Sequence, residues 1–245
     1  MNSGIYSATS GLIAMERALE ITSNNLANMN TSGFKQDIPF YAHLTKMEKQ
    51  FNSEDIKHVI NSGVEIRERI IDFSQGSFIH TSNPLDLAIE GKGFFQVVGD
   101  EKNYYTRDGS FTINKDQMLV TKNNELVLGL NGPISITIDD IRIDEEGQIF
   151  DSDNNLIDQL IIRDFQENDL AKFQNNLYLP YSEENEGIEP DNIRIRQGFL
   201  EASNVNPISS MVELIKINNL SQTYQKVIQS ISEDMDKRMI SEITR

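Results

Sequence analysis

The first 35 residues, MNSGIYSATSGLIAMERALEITSNNLANMNTSGFK (1–35), decide the fold class, because apolar residues recur in them every seven positions. One seam position of this heptad pattern holds Ile5, Leu12, Leu19 and Leu26. The other holds Ala8, Met15, Thr22 and Met29. Such spacing predicts an amphipathic helix with a coiled-coil seam of about four heptads. Asn, Thr and Ser crowd the next residues and precede Gly33, so we expect the helix to end near Asn28.

The C-terminal segment, residues 206–245, has the same helical character. Its apolar residues recur at spacings of three, four and seven, at Leu214, Ile217, Tyr224, Ile228, Ile231 and Met235, and a wider stripe adds Val212, Leu220 and Val227. Ser203 or Asn204, followed by Pro207, indicates where this helix begins. Two helices that each expose a long apolar stripe must bury it on each other or on other copies, so we expect association.

Between the helices the apolar period changes from 3.6 to 2. Ile134, Ile136 and Ile138 alternate with polar residues, as do Ile141 and Ile143, and this alternation is typical of strands. Turn dipeptides such as Asp108-Gly109 recur at short intervals, which predicts about ten short antiparallel strands. We therefore predict an α+β fold in which N- and C-terminal amphipathic helices bracket a central antiparallel β-domain. The predicted divisions are the first helix (1–35), a polar connector (36–63), the β-domain (64–200) and the last helix (201–245).

Composition excludes several functions. The chain has 22 basic and 38 acidic residues and a net charge of −16, so it would repel nucleic acid and anionic lipid. It has no cysteine and three scattered histidines, which argues against disulfides and against zinc or iron–sulfur sites. The sequence has no uninterrupted run of about 18 apolar residues, so we expect no membrane insertion. The N-terminus lacks the pattern of a cleaved signal peptide. We predict no cofactor and no bound metal.

Three local motifs have simple structural interpretations. Gly91-Lys-Gly93 lacks the third glycine of a dinucleotide fingerprint and precedes a strand pattern, so it predicts a tight turn that leads into a core strand. The acidic run 151–155 lacks the later ligands of a calcium loop and is better explained as a hairpin tip. Asp108-Gly109 predicts a type I′ turn, with Tyr105 and Phe111 packing beside it. No G-x-S-x-G or H-E-x-x-H motif indicates hydrolysis.

A resemblance to a known family rests on motifs at both ends and in the middle of the chain. The run N-N-L-A-N-x-x-T-x-G-F-K at 24–35 resembles the N-terminal signature of flagellar axial proteins, the basal-body rod and hook family. Residues 82–95 and 105–111 are similar to the central part of that family. The run QGFLEASNVN at 197–206, followed by an amphipathic helix, is similar to its C-terminal part.

The resemblance implies a rod subunit that builds the axial shaft transmitting torque from motor to hook and filament. It implies that the terminal helices pair and stack on neighbours to form an inner tube, with the β-domain outside. It also implies other rod subunits and neighbouring axial proteins as partners, export by the flagellar type III apparatus without a cleaved signal, and a periplasmic rod as the final location. By the resemblance, distal rod members usually have a longer segment after the first helix, so the short stretch 36–63 favours a proximal member. A compact distal member stays possible.

Two classes of function remain at this stage. The first is the structural rod subunit, and the second is a secreted β-domain enzyme or ligand-binding module with helical oligomerisation arms, which would need a concave site of converging titratable groups. We predict no catalytic residue. The residues expected at an assembly interface are Ile5, Leu12, Met15, Leu19, Asn24, Asn25, Leu26, Asn28, Gly33, Phe34, Leu214, Ile217, Tyr224, Ile228, Ile231 and Met235.

Overall fold

The computed structural model describes residues 2–39, 69–99, 102–136, 141–166, 169–182 and 184–243 of the chain. It has an α+β fold, as predicted, with a long helix at each end and antiparallel strands between them. Helix α1 spans Asn2–Ala27 and helix α2 spans Pro207–Ile243. The first helix therefore ends where the cluster of Asn, Thr and Ser predicted its end.

The strands of the described residues are short and every pair is antiparallel. In chain order they are β1 Asp37–Pro39, β2 Arg69–Ile71, β3 Phe78–His80, β4 Leu87–Glu90, β5 Phe94–Gly99, β6 Lys102–Thr106, β7 Thr112–Ile113, β8 Leu119–Val120, β9 Leu126–Gly129, β10 Gly132–Pro133, β11 Arg142–Ile143, β12 Gln148–Phe150, β13 Leu156–Gln159, β14 Ile162–Arg163, β15 Leu170–Lys172, β16 Leu177–Pro180, β17 Arg194–Gln197 and β18 Phe199–Glu201. A single 3₁₀ turn, Gln174–Asn176, precedes β16. The prediction of about ten strands was too low, because many of these strands have only two or three residues and leave little periodicity in the sequence.

The chain divides into two compact units. Unit 1 comprises residues 1–27, 37–72 and 205–245, and unit 2 comprises residues 28–36 and 73–204. In unit 1, α1 packs against α2, and β1 pairs with β2. The helices approach closely at Gly11, where a Cβ atom would lie 2.7 Å from Cε1 of Tyr224.

Unit 2 contains the β core. Its largest sheet has the order β15-β16-β6-β5-β9-β8-β7, with β10 added to β9 and β14 added to β5. Strands β11, β12 and β13 form a second sheet, and β17 pairs with β4 while β18 pairs with β3. Apolar side chains from these strands are fully buried in one cluster, among them Leu87, Phe95, Val97, Val127 and Ile149. Burial of each such side chain stabilises the fold by roughly 1.5–3 kcal/mol.

The alternating isoleucines behave as the period of two predicts in burial but only partly in hydrogen bonding. Ile134 and Ile136 are buried and Ser135 between them is exposed. The backbone of this stretch bonds to Val127, Leu119 and Gln117, but the pairing amounts to an isolated bridge from Ser135 to Met118 and not to a regular strand. Ile138 lies outside the described residues. Ile141 and Ile143 are buried on either side of an exposed Arg142, and β11 forms there as predicted.

The glycine turn and the hairpin tip are confirmed. Gly91 and Gly93 have φ values of +111° and +119°, which favour glycine, and β5 begins at the next residue. Residues 151–155 join β12 to β13, and the Asp151 carboxylate accepts the backbone N–H of Asp153 and of Asn155. These hydrogen bonds lower the pKa of Asp151, the side-chain bond from Asn155 most of all.

Two details at the ends of helices differ from expectation. Helix α2 is capped by Asn206, whose side-chain oxygen accepts the backbone N–H of Ile208 and of Ser209, and not by Ser203 or Asn204. Residues 37–39, which the sequence analysis includes in a polar connector, form β1. Residues 40–63 of that stretch lie outside the described residues.

Candidate assembly surface and the signature residues

The seam of each terminal helix is partly covered within unit 1. Leu12, Met15 and Leu19 of α1 are half-buried, and Ala18 and Ile21 beside them are buried. On α2, Ile217 is buried, whereas Leu214, Tyr224, Ile228 and Ile231 are half-buried. The side chains of Ile5 and Met235 are outside the described set. Residues predicted for an assembly interface therefore lie largely where α1 and α2 contact each other.

A second apolar surface of α2 is exposed. We define the outer α2 face as Ile208, Met211, Val212 and Ile215, of which Ile208 and Ile215 are 74% and 59% exposed. At 100° per residue these four positions point away from Ile217 and its seam neighbours. Leu220 and Val227 lie between the two faces and are also exposed. The wide stripe predicted on α2 includes Val212 but not Ile208, Met211 and Ile215, although the same 3.6-residue period identifies them.

The asparagines at the end of α1 have separate roles. Asn25 is buried, and its side-chain amide donates to the Asp37 carbonyl at 2.7 Å and accepts the Asp37 N–H at 2.9 Å. The amide thus imitates the backbone of a neighbouring strand and holds the start of β1 against the helix end. Asn24 is exposed, and Asn28 accepts a hydrogen bond from Thr31 Oγ1. That the face shared by Asn24 and Asn28 has a defined neighbour stays a prediction.

Gly33 and Phe34, also predicted for the interface, are buried inside unit 2. Gly33 has a φ of +66°, and an added Cβ atom would overlap the backbone of Arg107 and Asp108, so only glycine fits. The Lys172 ammonium lies 4.1 Å from the centre of the Phe34 ring, a cation–π contact that holds the ring in place.

The charged residues of the three motifs meet in one buried cluster, which the sequence analysis did not foresee. The Lys35 ammonium donates to Oε1 of Glu201 at 2.5 Å, and the Arg107 guanidinium donates to Oε2 at 3.2 Å. Their exposed fractions are 1% for Lys35, 1% for Glu201 and 5% for Arg107. Each residue stands inside a quoted motif, but Lys, Arg and Glu are usually exposed, so their residue types did not indicate that they are buried together.

This ion triad is well supplied with hydrogen bonds. Lys35 also donates to the Ser74 carbonyl at 2.8 Å, and Arg107 donates to the carbonyls of Ile89 and Gly91. Burial lowers the pKa of the Arg107 guanidinium, and the Glu201 carboxylate opposes that shift. Since a buried charge is costly unless it is paired, the triad requires all three motifs to be in place at once.

The predicted type I′ turn at Asp108-Gly109 is wrong. Neither residue has a positive φ, which that turn needs at both positions. Asp108 instead accepts the Ser110 N–H and hydroxyl on its carboxylate. The Gly109 carbonyl accepts the Leu87 N–H, and this close approach requires glycine because a Cβ atom would overlap the Leu87 carbonyl oxygen. Tyr105 and Phe111 are buried on either side, as predicted.

Tyr105 is another buried group whose pKa is shifted. Burial raises the pKa of the Tyr105 phenol, and the negative charge of Glu186 adds to the rise. No group of three or more His, Asp and Glu side chains could hold a metal in the part of the chain that the structure describes. Within that same part, no helix is long and apolar enough to span a membrane.

Three parts of the chain match models of flagellar protein families. Residues 5–35 match a model described as flagella basal body rod protein, and residues 88–151 match the flagellar hook protein FlgE/F/G D1 domain. Residues 196–242 match the C-terminal part of flagellar basal body rod FlgEFG proteins. The class defined by the terminal helices, the β-domain and these matches is the flagellar axial protein, and the chain belongs to the basal-body rod family.

Individual relatives cover nearly the whole chain. It is 32% identical to the flagellar basal-body rod protein FlgF of Caulobacter vibrioides, with 95% of each chain aligned. It is 28% identical to the FlgF protein of Rhizobium meliloti over 97% of this chain and 96% of the relative. It is 30% identical to the rod protein FlgG of Borreliella burgdorferi over 94% of this chain and 95% of the relative.

Proposed function

We propose that this chain is a structural subunit of the flagellar basal-body rod, and that it polymerises through its terminal helices into the shaft that transmits torque to hook and filament. The observation that carries the proposal is the exposed outer α2 face on a member of the rod family. Four apolar side chains in two turns of helix leave water only when another surface covers them.

Assembly needs no covalent chemistry. In a helical lattice each subunit presents one surface to the next subunit and a different surface to the previous one, and such heterologous contacts do not close into a ring. We propose that α1 and α2 pair by coiled-coil-type packing along their seams, which leaves the outer α2 face for a neighbouring subunit. Rigidity then arises because many modest contacts must break together.

The wider setting is also part of the proposal. The partners are other rod subunits and neighbouring axial proteins, and the flagellar type III apparatus exports the chain to the periplasmic part of the basal body. The short stretch 36–63 supports a proximal rather than a distal position in the rod. No feature of the described residues favours a secreted enzyme or ligand-binding module.

The test places one negative charge on the outer α2 face. Ile215→Asp should stop rod assembly and swimming in a deletion strain, because the face would carry an unpaired carboxylate into the contact. Its helix and melting temperature should stay close to those of the parent, since Ile215 is exposed in the subunit. Gln225→Asp adds the same charge at an exposed position on another side of α2 and is the matched control.

Electron micrographs of isolated basal bodies and the diameter of swimming halos give the readout. Loss of rods with Ile215→Asp but not with Gln225→Asp is the expected result. Complete rods and normal halos with Ile215→Asp would show that this face is not an assembly surface.

A further inference from the structure

The chain passes between the two units four times, after residues 27, 36, 72 and 204. Three of these passages, at 36, 72 and 204, lie next to residues of the signature motifs or to Ser74. At each passage the chain crosses only once. The hydrogen bonds that hold a passage to unit 2 therefore decide whether it can open independently of the other passages. The hydrogen bonds of Asn204, Glu201 and Lys35 that hold these passages are made within unit 2.

Asn204 binds both of the other two passages. Its side-chain oxygen accepts the Gln36 N–H at 2.8 Å, and its side-chain nitrogen donates to the carbonyl and to the hydroxyl of Ser74, each at 3.1 Å. Its own backbone N–H donates to the Phe34 carbonyl at 3.3 Å. The Asn204 side chain therefore links the segment that ends at residue 36, where the chain leaves unit 2, to the segment that begins at residue 73, where the chain returns to it.

Glu201 and Lys35 repeat this arrangement one layer further in. Glu201 accepts the Lys35 ammonium and the Gly76 N–H on the same oxygen, and its carbonyl accepts the Gly33 N–H at 2.7 Å. Lys35 reaches the Ser74 carbonyl as well. The segments 33–36, 74–76 and 201–204 are thus cross-linked twice, once through Asn204 and once through the Lys35–Glu201 pair.

We infer that Asn204 and the Lys35–Glu201 pair form a buckle that ties the three passages into one anchor on unit 2. Hydrogen bonds that share a side chain are formed and lost together, because breaking one leaves the same amide or carboxylate poorly satisfied. Segments 33–36 and 74–76 consequently open as a single event. In an assembled rod, a part of the inference that rests on the proposed function, load on the terminal helices reaches unit 2 through three tied links.

Hydrogen exchange on the purified full-length chain tests the buckle directly, with two substitutions at Asn204. Asn204→Asp keeps an oxygen for the Gln36 N–H and one that can accept the Ser74 hydroxyl, but it loses the donor to the Ser74 carbonyl, which the carboxylate repels. Asn204→Ala removes both interactions. For independent passages, Asn204→Asp would speed exchange only over residues 73–77, whereas for a buckle it also speeds exchange over 33–36, by roughly 5- to 10-fold for each hydrogen bond lost.

The matched control is Asn185→Ala. Asn185 also lies in unit 2. Its side-chain nitrogen donates to Asp169 and its side-chain oxygen accepts the Gly187 N–H, and both of these partners lie outside the three passages. It should leave exchange over 33–36 and 73–77 unchanged. Faster exchange confined to 73–77 in Asn204→Asp, or unchanged exchange in Asn204→Ala, would overturn the buckle.

The consequence for the rod has its own readout. A deletion strain carrying Asn204→Ala should assemble rods yet lose swimming speed in viscous medium by at least twofold more than the Asn185→Ala strain, because load would be carried by separate links. Equal speeds of the two strains at every viscosity would overturn the load-sharing role. If the parent chain itself fails to restore rods, the proposed function fails, while the exchange result on the purified chain stands independently.

Discussion

Replacing Glu201 by Gln is the sharpest perturbation of the β-rich unit. The substitution preserves shape and removes the carboxylate that pairs with both Lys35 and Arg107. Both cations would stay buried, because Lys35 is held by the Ser74 carbonyl and Arg107 by the carbonyls of Ile89 and Gly91. The variant therefore keeps the packing and loses only the charge balance.

The expected cost follows from the burial of the triad. Removing one partner of a buried ion pair typically destabilises a protein by about 3–5 kcal/mol, since the remaining charge is left uncompensated. The Glu201 carboxylate serves two buried cations, so the cost of Glu201→Gln should lie within that range. For a unit of about 140 residues, about 3 °C of melting temperature is lost per kcal/mol, so the shift should be roughly 10–15 °C.

The chain offers a built-in control and a built-in probe. Glu90 pairs with Arg196 at 2.8 Å, but the two side chains are 40% and 42% exposed, so Glu90→Gln should cost less than about 1 kcal/mol. The chain has no tryptophan and seven tyrosines, four of them in unit 2, so near-ultraviolet circular dichroism of tyrosine follows mainly that unit. Far-ultraviolet ellipticity follows the helices of unit 1 separately.

Urea unfolding of both variants decides the question. Glu201→Gln should shift the tyrosine transition strongly and Glu90→Gln should barely move it. The double variant Lys35→Met with Glu201→Gln should lose less than the sum of the single losses, because one uncompensated cation is gone. If Glu201→Gln is no more destabilising than Glu90→Gln, the triad contributes nothing and the reasoning is refuted.

Three further perturbations test other parts of the structure. Gly33→Ala should destabilise unit 2 by several kcal/mol more than Gly132→Ala in urea unfolding, because both have positive φ but only Gly33 has backbone atoms where the methyl group would lie; equal losses would remove the steric argument. Tyr105→Phe should reduce the loss of stability between about pH 9 and pH 11, since the raised pKa keeps the folded phenol protonated while the unfolded chain ionises near pH 10 and draws the equilibrium towards unfolding. An unchanged alkaline slope would contradict that burial effect. Leu19→Asp should weaken the pairing of α1 with α2 and abolish swimming, whereas exposed Glu16→Lys should be mild; swimming by the Leu19→Asp strain would refute the seam.

Sequence periodicity was enough to predict the two helices and the strand-rich centre, because both patterns depend on which side of an element is buried. Leu19 and Ile217 repeat with the helical period, and Ile141 and Ile143 repeat with the strand period. The very short strands were undercounted, since a two-residue strand such as β10 is too short to show a period. The α2 cap was misplaced because Asn204 and Asn206 are both good caps in sequence, and only the position of Ser74 shows that Asn204 is engaged elsewhere.

The buried triad could not be predicted because its members are separated by 72 to 166 positions in the chain. Nothing local in the sequence indicates that Lys35 and Glu201 approach each other, and charge patterns alone favour solvated positions for both. A resemblance to a family identifies the motifs but not the partners within them. The distance between Lys35 and Glu201 is a property of the fold, and so only the structure supplies it.

The positions of the motif residues change what the motifs are for. The predicted interface treated residues 24–34 as part of one association surface, but Asn25 bonds to β1 and Gly33 and Phe34 are buried in unit 2. A residue that is already buried in its own subunit has little area left for a neighbour. The association that the proposed function requires must therefore depend on exposed apolar residues, and α2 provides these in Ile208 and Ile215. On this reasoning the motif residues stabilise the fold within each unit, and we propose that the less conspicuous outer face of α2 carries the contact with a neighbouring subunit.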